Sequence, residues 1–150
     1  MRHDHDFRSS LLLIIFCSLL LPLCASAQVC RVSAGQMADG TASYIEVFEY
    51  DFVSEKPEFP GGDSKLVEFI NAHRRYPAKA YKAGIQGRVA CSFVVNTDGS
   101  ITNVTVLKSV ERSLNEEATR IFSIMPAWTP GKLDGVTVPV RVVRCVPFRK

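Results

Sequence analysis

From Gly87 to Val95 the apolar residues recur at every second position. Val89, Cys91, Phe93 and Val95 share one phase, and Arg88, Ala90 and Ser92 share the other. A period of two sustained over that length specifies a strand with one buried face. Thr97-Asp98-Gly99 follows as hairpin punctuation, and the return strand carries Ile101, Val104 and Val106. Ile101 is out of phase with the two valines, so a bulge or displaced turn is expected there. Such a hairpin cannot bury its apolar face alone, which constrains everything around it to supply a cover.

Two helical stretches fit that need. Leu66, Phe69 and Ile70 fall on one face of a helix for which Asp63 is the expected N-cap. It should end before Pro77, because a residue preceding proline avoids helical geometry. Pro77 then opens a short second helix through Ala83, closed by Gly84. Further on, Ser113 with Glu116 reads as a capping box. The helix behind it presents Leu114, Ala118, Ile121, Phe122 and Met125, and stops at Pro126. Trp128, Pro130 and Gly131 make a rigid connector. The last strand aligns Val138, Val140 and Val142, then Val146 and Phe148, with Pro139 and Pro147 in the opposite phase. Proline cannot donate to a ladder, so this strand is predicted at a sheet edge. The expected fold is α+β, a small three-stranded antiparallel sheet packed against two to three helices.

The N-terminal part reads differently. Leu11–Leu21 has Ser18 as its single polar residue, follows a head with Arg2 and Arg8, and leads to Ala25-Ser26-Ala27. That is the layout of a secretory signal peptide over residues 1–27, cleaved before Gln28. An uncleaved anchor over residues 11–27, or a lipid-modified Cys24, remains open. Residues 28–56 read as a lead-in without periodicity, apart from an extended, aromatic-rich segment at Tyr44–Val53. The folded domain is expected over 57–150. Residues 28–63 hold two bases against seven acids, and residues 64–150 hold fourteen bases against six acids. Export leaves Cys30, Cys91 and Cys145, an odd number that permits at most one disulfide. Cys91 reads as a small core residue, and a Cys30–Cys145 pair stays open.

Several function classes lose support. Beyond residue 27 the sole histidine is His73, on the polar end of a helix, so neither a His-based metal site nor a cofactor is expected. No serine has a base at a recognisable spacing, and no catalytic residue is assigned: the chain reads as a non-enzyme. An exported chain without aromatic–basic interleaving is not expected to bind nucleic acid. The feature with functional content is the last strand, whose exposed polar groups are guarded by Arg141, Arg144 and the two prolines. This is either plain edge protection or a docking edge for an extended peptide. Tyr44–Val53, tethered nearby, is expected to pair with the sheet and compete with such a peptide.

Taken in order, Pro57-Glu58-Phe59-Pro60-Gly61-Gly62, Tyr76-Pro77, Gly84-Ile85-Gln86-Gly87-Arg88-Val89, Asp98-Gly99-Ser100-Ile101 and Met125-Pro126-Ala127-Trp128-Thr129-Pro130-Gly131-Lys132 resemble the C-terminal domain of TonB-type energy transducers. So does the Val-rich strand ending Pro147-Phe148-Arg149, and the likeness covers about residues 47–150. The resemblance implies a periplasmic domain that contacts outer-membrane TonB-dependent receptors, whose plug segment, the box, adds to the sheet as a strand. It couples an inner-membrane proton-driven motor to uptake of iron chelates or similar nutrients. It implies a docking edge over Val138–Val146, with Val138, Val140, Arg141, Val142, Val143 and Arg144 as peptide-binding residues. Tyr76 and Pro77 match the receptor-contacting turn, and Gly87, Asp98, Gly99, Trp128, Pro130 and Gly131 are structural. The sequence departs from full-length transducers in lacking a Pro/Lys-rich linker, and residues 28–46 reach at most roughly 65 Å. A soluble receptor-binding module, a short anchored transducer, and an interaction module that dimerises through the edge strand are the readings that follow.

Overall fold

A computed structural model describes the backbone of residues 29–36 and 42–150 and the side chains from Glu46 onward. The expected signal peptide and the Cys30 side chain lie outside the described residues. In chain order the elements are β1 (Val29–Gln36), β2 (Ala42–Glu49), a 3-10 turn (Tyr50–Phe52), α1 (Gly62–His73), α2 (Ala78–Lys82), β3 (Gly87–Val95), β4 (Ile101–Lys108), α3 (Arg112–Ser123), β5 (Gly131–Leu133), β6 (Val136–Val138) and β7 (Val140–Phe148). Among the described residues no helix is long and apolar enough to cross a membrane.

The fold is α+β. Its centre is the expected antiparallel trio: β3 pairs with β7 from Gly87↔Phe148 to Val95↔Val140, and with β4 on its other side. The sheet is larger than expected, however, with order β1-β2-β7-β3-β4. Residues 29–36, read as part of an aperiodic lead-in, form β1 and pair antiparallel with β2. β2 then lies parallel to the start of β7. The last strand is therefore not the outermost one. Its prolines do not prevent this, because Pro139 needs only its carbonyl to accept from Phe48 N–H at 2.9 Å. Pro139 also divides the predicted strand: Val138 belongs to β6, opposite Gly131.

Alternation explains the core. Val89, Cys91, Phe93 and Val95 from β3 meet Val142, Val146 and Phe148 from β7, all fully buried. Leu114, Ala118, Ile121 and Phe122 of α3 and Leu66 and Ile70 of α1 cover them, and Met125 packs partly buried at the rim. The expected bulge falls where Ser92 faces Thr105 and Val94 faces Thr102, leaving an extra residue on β4 around Asn103, whose φ is 53°. Both helix starts differ from expectation. Gly61, left-handed at φ 84°, precedes α1 with no side-chain cap, and Asp63 sits inside the first turn. At α3 the cap is Glu111, which accepts from the N–H groups of Ser113 and Leu114. Ser113 also donates its hydroxyl to Glu111; Glu116 instead pairs with Arg112 at 2.9 Å. A carboxylate two positions earlier satisfies those N–H groups with a full charge, so the helix begins sooner than a Ser113 cap would allow.

Candidate functional site

The candidate site is the outward edge of β7. Hydrogen-bonding direction alternates along a strand, and Pro139 C=O faces β2. The residues whose polar backbone groups face away from β3 are therefore Pro139, Arg141, Val143, Cys145 and Pro147. β2 is registered only against Val140 and Arg141, and past Arg141 no described strand lies along this edge. Val143 and Cys145, both exposed, then turn their backbone groups outward, the Val143 carbonyl toward the Arg144 guanidinium. Pro147 ends the run: it has no N–H, and the Arg74 guanidinium donates to its carbonyl.

Side chains around the edge are mostly basic. Arg141 pairs with Glu49 at 3.3 Å. Arg144 donates to Val143 C=O at 3.0 Å, reaches Asp63 at 3.5 Å, and lies 5.4 Å from the Tyr50 ring centroid. On the outer sheet face a shallow cavity of about 190 Å³ lies between Ser92, Val94, Asn103, Thr105, Leu107 and Arg141. Cys91 and Cys145 are free thiols. Burial, with a smaller push from Cys145, raises the Cys91 thiol to about 11, so it stays protonated and inert.

At the far end of β7 stands the Tyr76-Pro77 turn. The Tyr76 ring meets Phe148 edge-on at 5.7 Å and Tyr81 at 5.4 Å, and its hydroxyl donates to Ile85 C=O. A polar staple holds the turn. Glu117 accepts from Arg75 N–H at 2.8 Å and from Arg120 Nε and Nη2 at 2.8 and 2.7 Å. Arg120 in turn donates to His73 C=O at 2.7 Å, closing the end of α1. Burial pushes the Glu117 carboxyl up, but the Arg120 and Arg75 hydrogen bonds and charges outweigh it and hold it below the ordinary carboxylate range. A depressed folded value means that the staple stabilises above the unfolded glutamate pKa, about 4.3, and is lost as pH falls through the folded one. E117Q is expected to cost about 1.5 kcal/mol at neutral pH. In thermal melts the gap to wild type should close as the pH falls through the lowered folded pKa of Glu117; a constant gap from neutral to acid pH would contradict it.

The structure brings Arg141, Val143 and Arg144 of the expected binding set to the edge, with Tyr76 and Pro77 beside its end. Val140 and Val142 are on β7 but point fully into the core, and Val138 lies off it. Of the expected structural residues, Gly87 faces Val110, whose methyls would be 2.9 Å from an added Cβ. Gly131 would place one 2.6 Å from Val140. Asp98 accepts Ser100 N–H at 2.8 Å and hydroxyl at 2.6 Å, which tightens the β3–β4 turn and lowers its carboxyl pKa. Pro130 is half-buried between Trp128 and Gly131. Phe48 and Glu49 fall in the Tyr44–Val53 segment expected to pair with the sheet, and Cys145 in the expected docking edge, but neither they nor Arg74 carried a site role of their own from the sequence.

A family model described as Gram-negative bacterial TonB protein C-terminal matches residues 72–149. Over 45 residues the chain is 44% identical to protein TonB of Helicobacter pylori, in strains J99 and 26695 alike. That stretch spans 30% of this chain but only 16% of the relative. Two NMR solution structures of Helicobacter pylori TonB-CTD are 27% identical, each with a TM-score of 0.41. They cover 57% and 58% of this chain, and 90% and 80% of their own.

Proposed function

The chain belongs to the Gram-negative bacterial TonB protein C-terminal family, and from that premise we propose that it binds the plug segment of outer-membrane TonB-dependent receptors by strand addition along β7. The role is periplasmic, one of binding within TonB-dependent transport of iron chelates or similar nutrients, and it involves no catalysis. The observation that supports it is the edge past Arg141, where the outward phase of β7 at Val143 and Cys145 is paired with no described strand and stands beside basic side chains. Main-chain bonds supply affinity in such docking, and neighbouring side chains supply selectivity.

Val143→Pro tests it. The substitution removes an outward N–H that takes no part in the β3–β7 ladder, so the fold is expected to persist, checked by an unchanged circular dichroism spectrum. Affinity for synthetic plug-segment peptides, measured by fluorescence polarisation, should fall at least roughly tenfold, the equivalent of one lost backbone bond. Equal binding by V143P and wild type would place the peptide elsewhere.

A further inference from the structure

The chain's own β2 closes the first positions of the β7 edge, and the join is narrow. Only Phe48↔Val140 and Glu49↔Arg141 are in register, against nine paired positions between β7 and β3. The Phe48 N–H to Pro139 C=O bond of 2.9 Å holds the backbone. The Glu49–Arg141 ion pair is about a third exposed on both sides, so solvent and salt weaken it. Val47, beside the splice on β2, is fully buried. β1 and β2, by contrast, are paired over seven positions. The hairpin is thus a coherent unit spliced to the domain by two residues.

Docking geometry makes that splice consequential. Beyond it, the outward groups left are the N–H of Val143 and the N–H and C=O of Cys145, since Arg144 takes the Val143 carbonyl, Pro147 lacks an N–H and Arg74 takes its carbonyl. A stretch from Val143 to Cys145 accommodates about four residues of an added strand at most, whereas strands in folded proteins run to about five or six. A longer strand must also take the outward groups of Arg141, which lie against β2.

We propose that the β1–β2 hairpin is a displaceable intramolecular occupant of the docking edge, yielding to peptides long enough to extend back over Arg141. This rests on the strand-addition reading above. A hairpin docked for about nine-tenths of the time weakens the apparent affinity of a competing peptide roughly tenfold, and peptides confined to Val143–Cys145 escape that penalty.

The test is Phe48→Pro in the full chain. Phe48 directs its N–H at β7 rather than β1, so proline there undoes the splice and leaves the hairpin's own ladder intact. Long plug-segment peptides should bind F48P roughly tenfold more tightly than wild type, and peptides of about four residues equally well. Glu49→Lys, which keeps every backbone group and repels Arg141, should give a smaller gain of the same sign. If wild type binds and neither variant tightens binding of the long peptides, the hairpin is no competitor, and docking stands without it. Weaker binding by F48P would make β2 part of the site and overturn the proposal. If no peptide binds any of the proteins, the docking reading fails and takes this inference with it.

Discussion

Gly99→Ala is expected to destabilise the domain by about 4 kcal/mol, seen as a fall in melting temperature of roughly 15 °C. Gly99 has φ 83°, a region that residues with a Cβ adopt only under strain. An added Cβ would also stand 2.1 Å from the Trp128 carbonyl oxygen. Backbone cannot swing aside as a side chain does, and here it is tied down: Trp128 N–H donates to Gly99 C=O at 2.9 Å. Relieving the clash therefore pulls Trp128 out of the core, where it is 3% exposed. Gly135 separates the two effects. It has φ 82° but nothing within 4 Å of an added Cβ, so Gly135→Ala should cost only about 1 kcal/mol. Equal losses at the two positions would refute the steric argument.

Phe93→Ala should cost a comparable amount, about 4 kcal/mol, read from the midpoint of urea unfolding. Phe93 is fully buried at the centre of β3, with ring centroids 5.3 Å from Phe122 and 5.4 Å from Trp128. Truncation leaves a cavity among rings that cannot collapse into it, since Trp128 is also held by its backbone at Gly99 and packs edge-on against Phe59 at 5.8 Å. Phe93→Leu keeps most of the volume and should cost under about 1.5 kcal/mol. A midpoint for F93A close to that of F93L would show that the site tolerates the void.

These two sites lie in the part of the fold that was legible in the sequence, and for a shared reason. The alternation from Val89 to Val95, the face of Leu114, Ala118, Ile121 and Phe122, and the Asp98-Gly99 turn are local patterns, and local periodicity records which side is buried. Capping was less legible: Glu111 and Ser113 both suit the start of α3, and a nearby charge decides between them. The β1–β2 hairpin was legible only in part. Tyr44–Val53 looked extended, and β2 does join the sheet, but Val29–Gln36 (VCRVSAGQ) has no alternation to announce β1. The β2–β7 contact joins residues far apart in the chain through backbone atoms, which side-chain patterns do not encode. Hence the prolines of the last strand pointed to a sheet edge that β2 in fact covers at its first positions, and the expected pairing of Tyr44–Val53 with the sheet carried no register.

The two-residue splice also has a mechanical side. Tension entering from the N-terminal direction reaches the sheet first at Val29, which faces Phe48 at the open end of the hairpin. Antiparallel pairs loaded at their open end separate one at a time, like a zipper, rather than in shear. The pairs of β1 and then the splice are therefore unfastened in turn, drawing out residues 29–49 as slack. Only then does the load arrive at the Glu55–Lys132 and Glu58–Thr129 bridges and, behind them, the nine-position β3–β7 register, so the hairpin acts as a compliant spring in series with a stiff core.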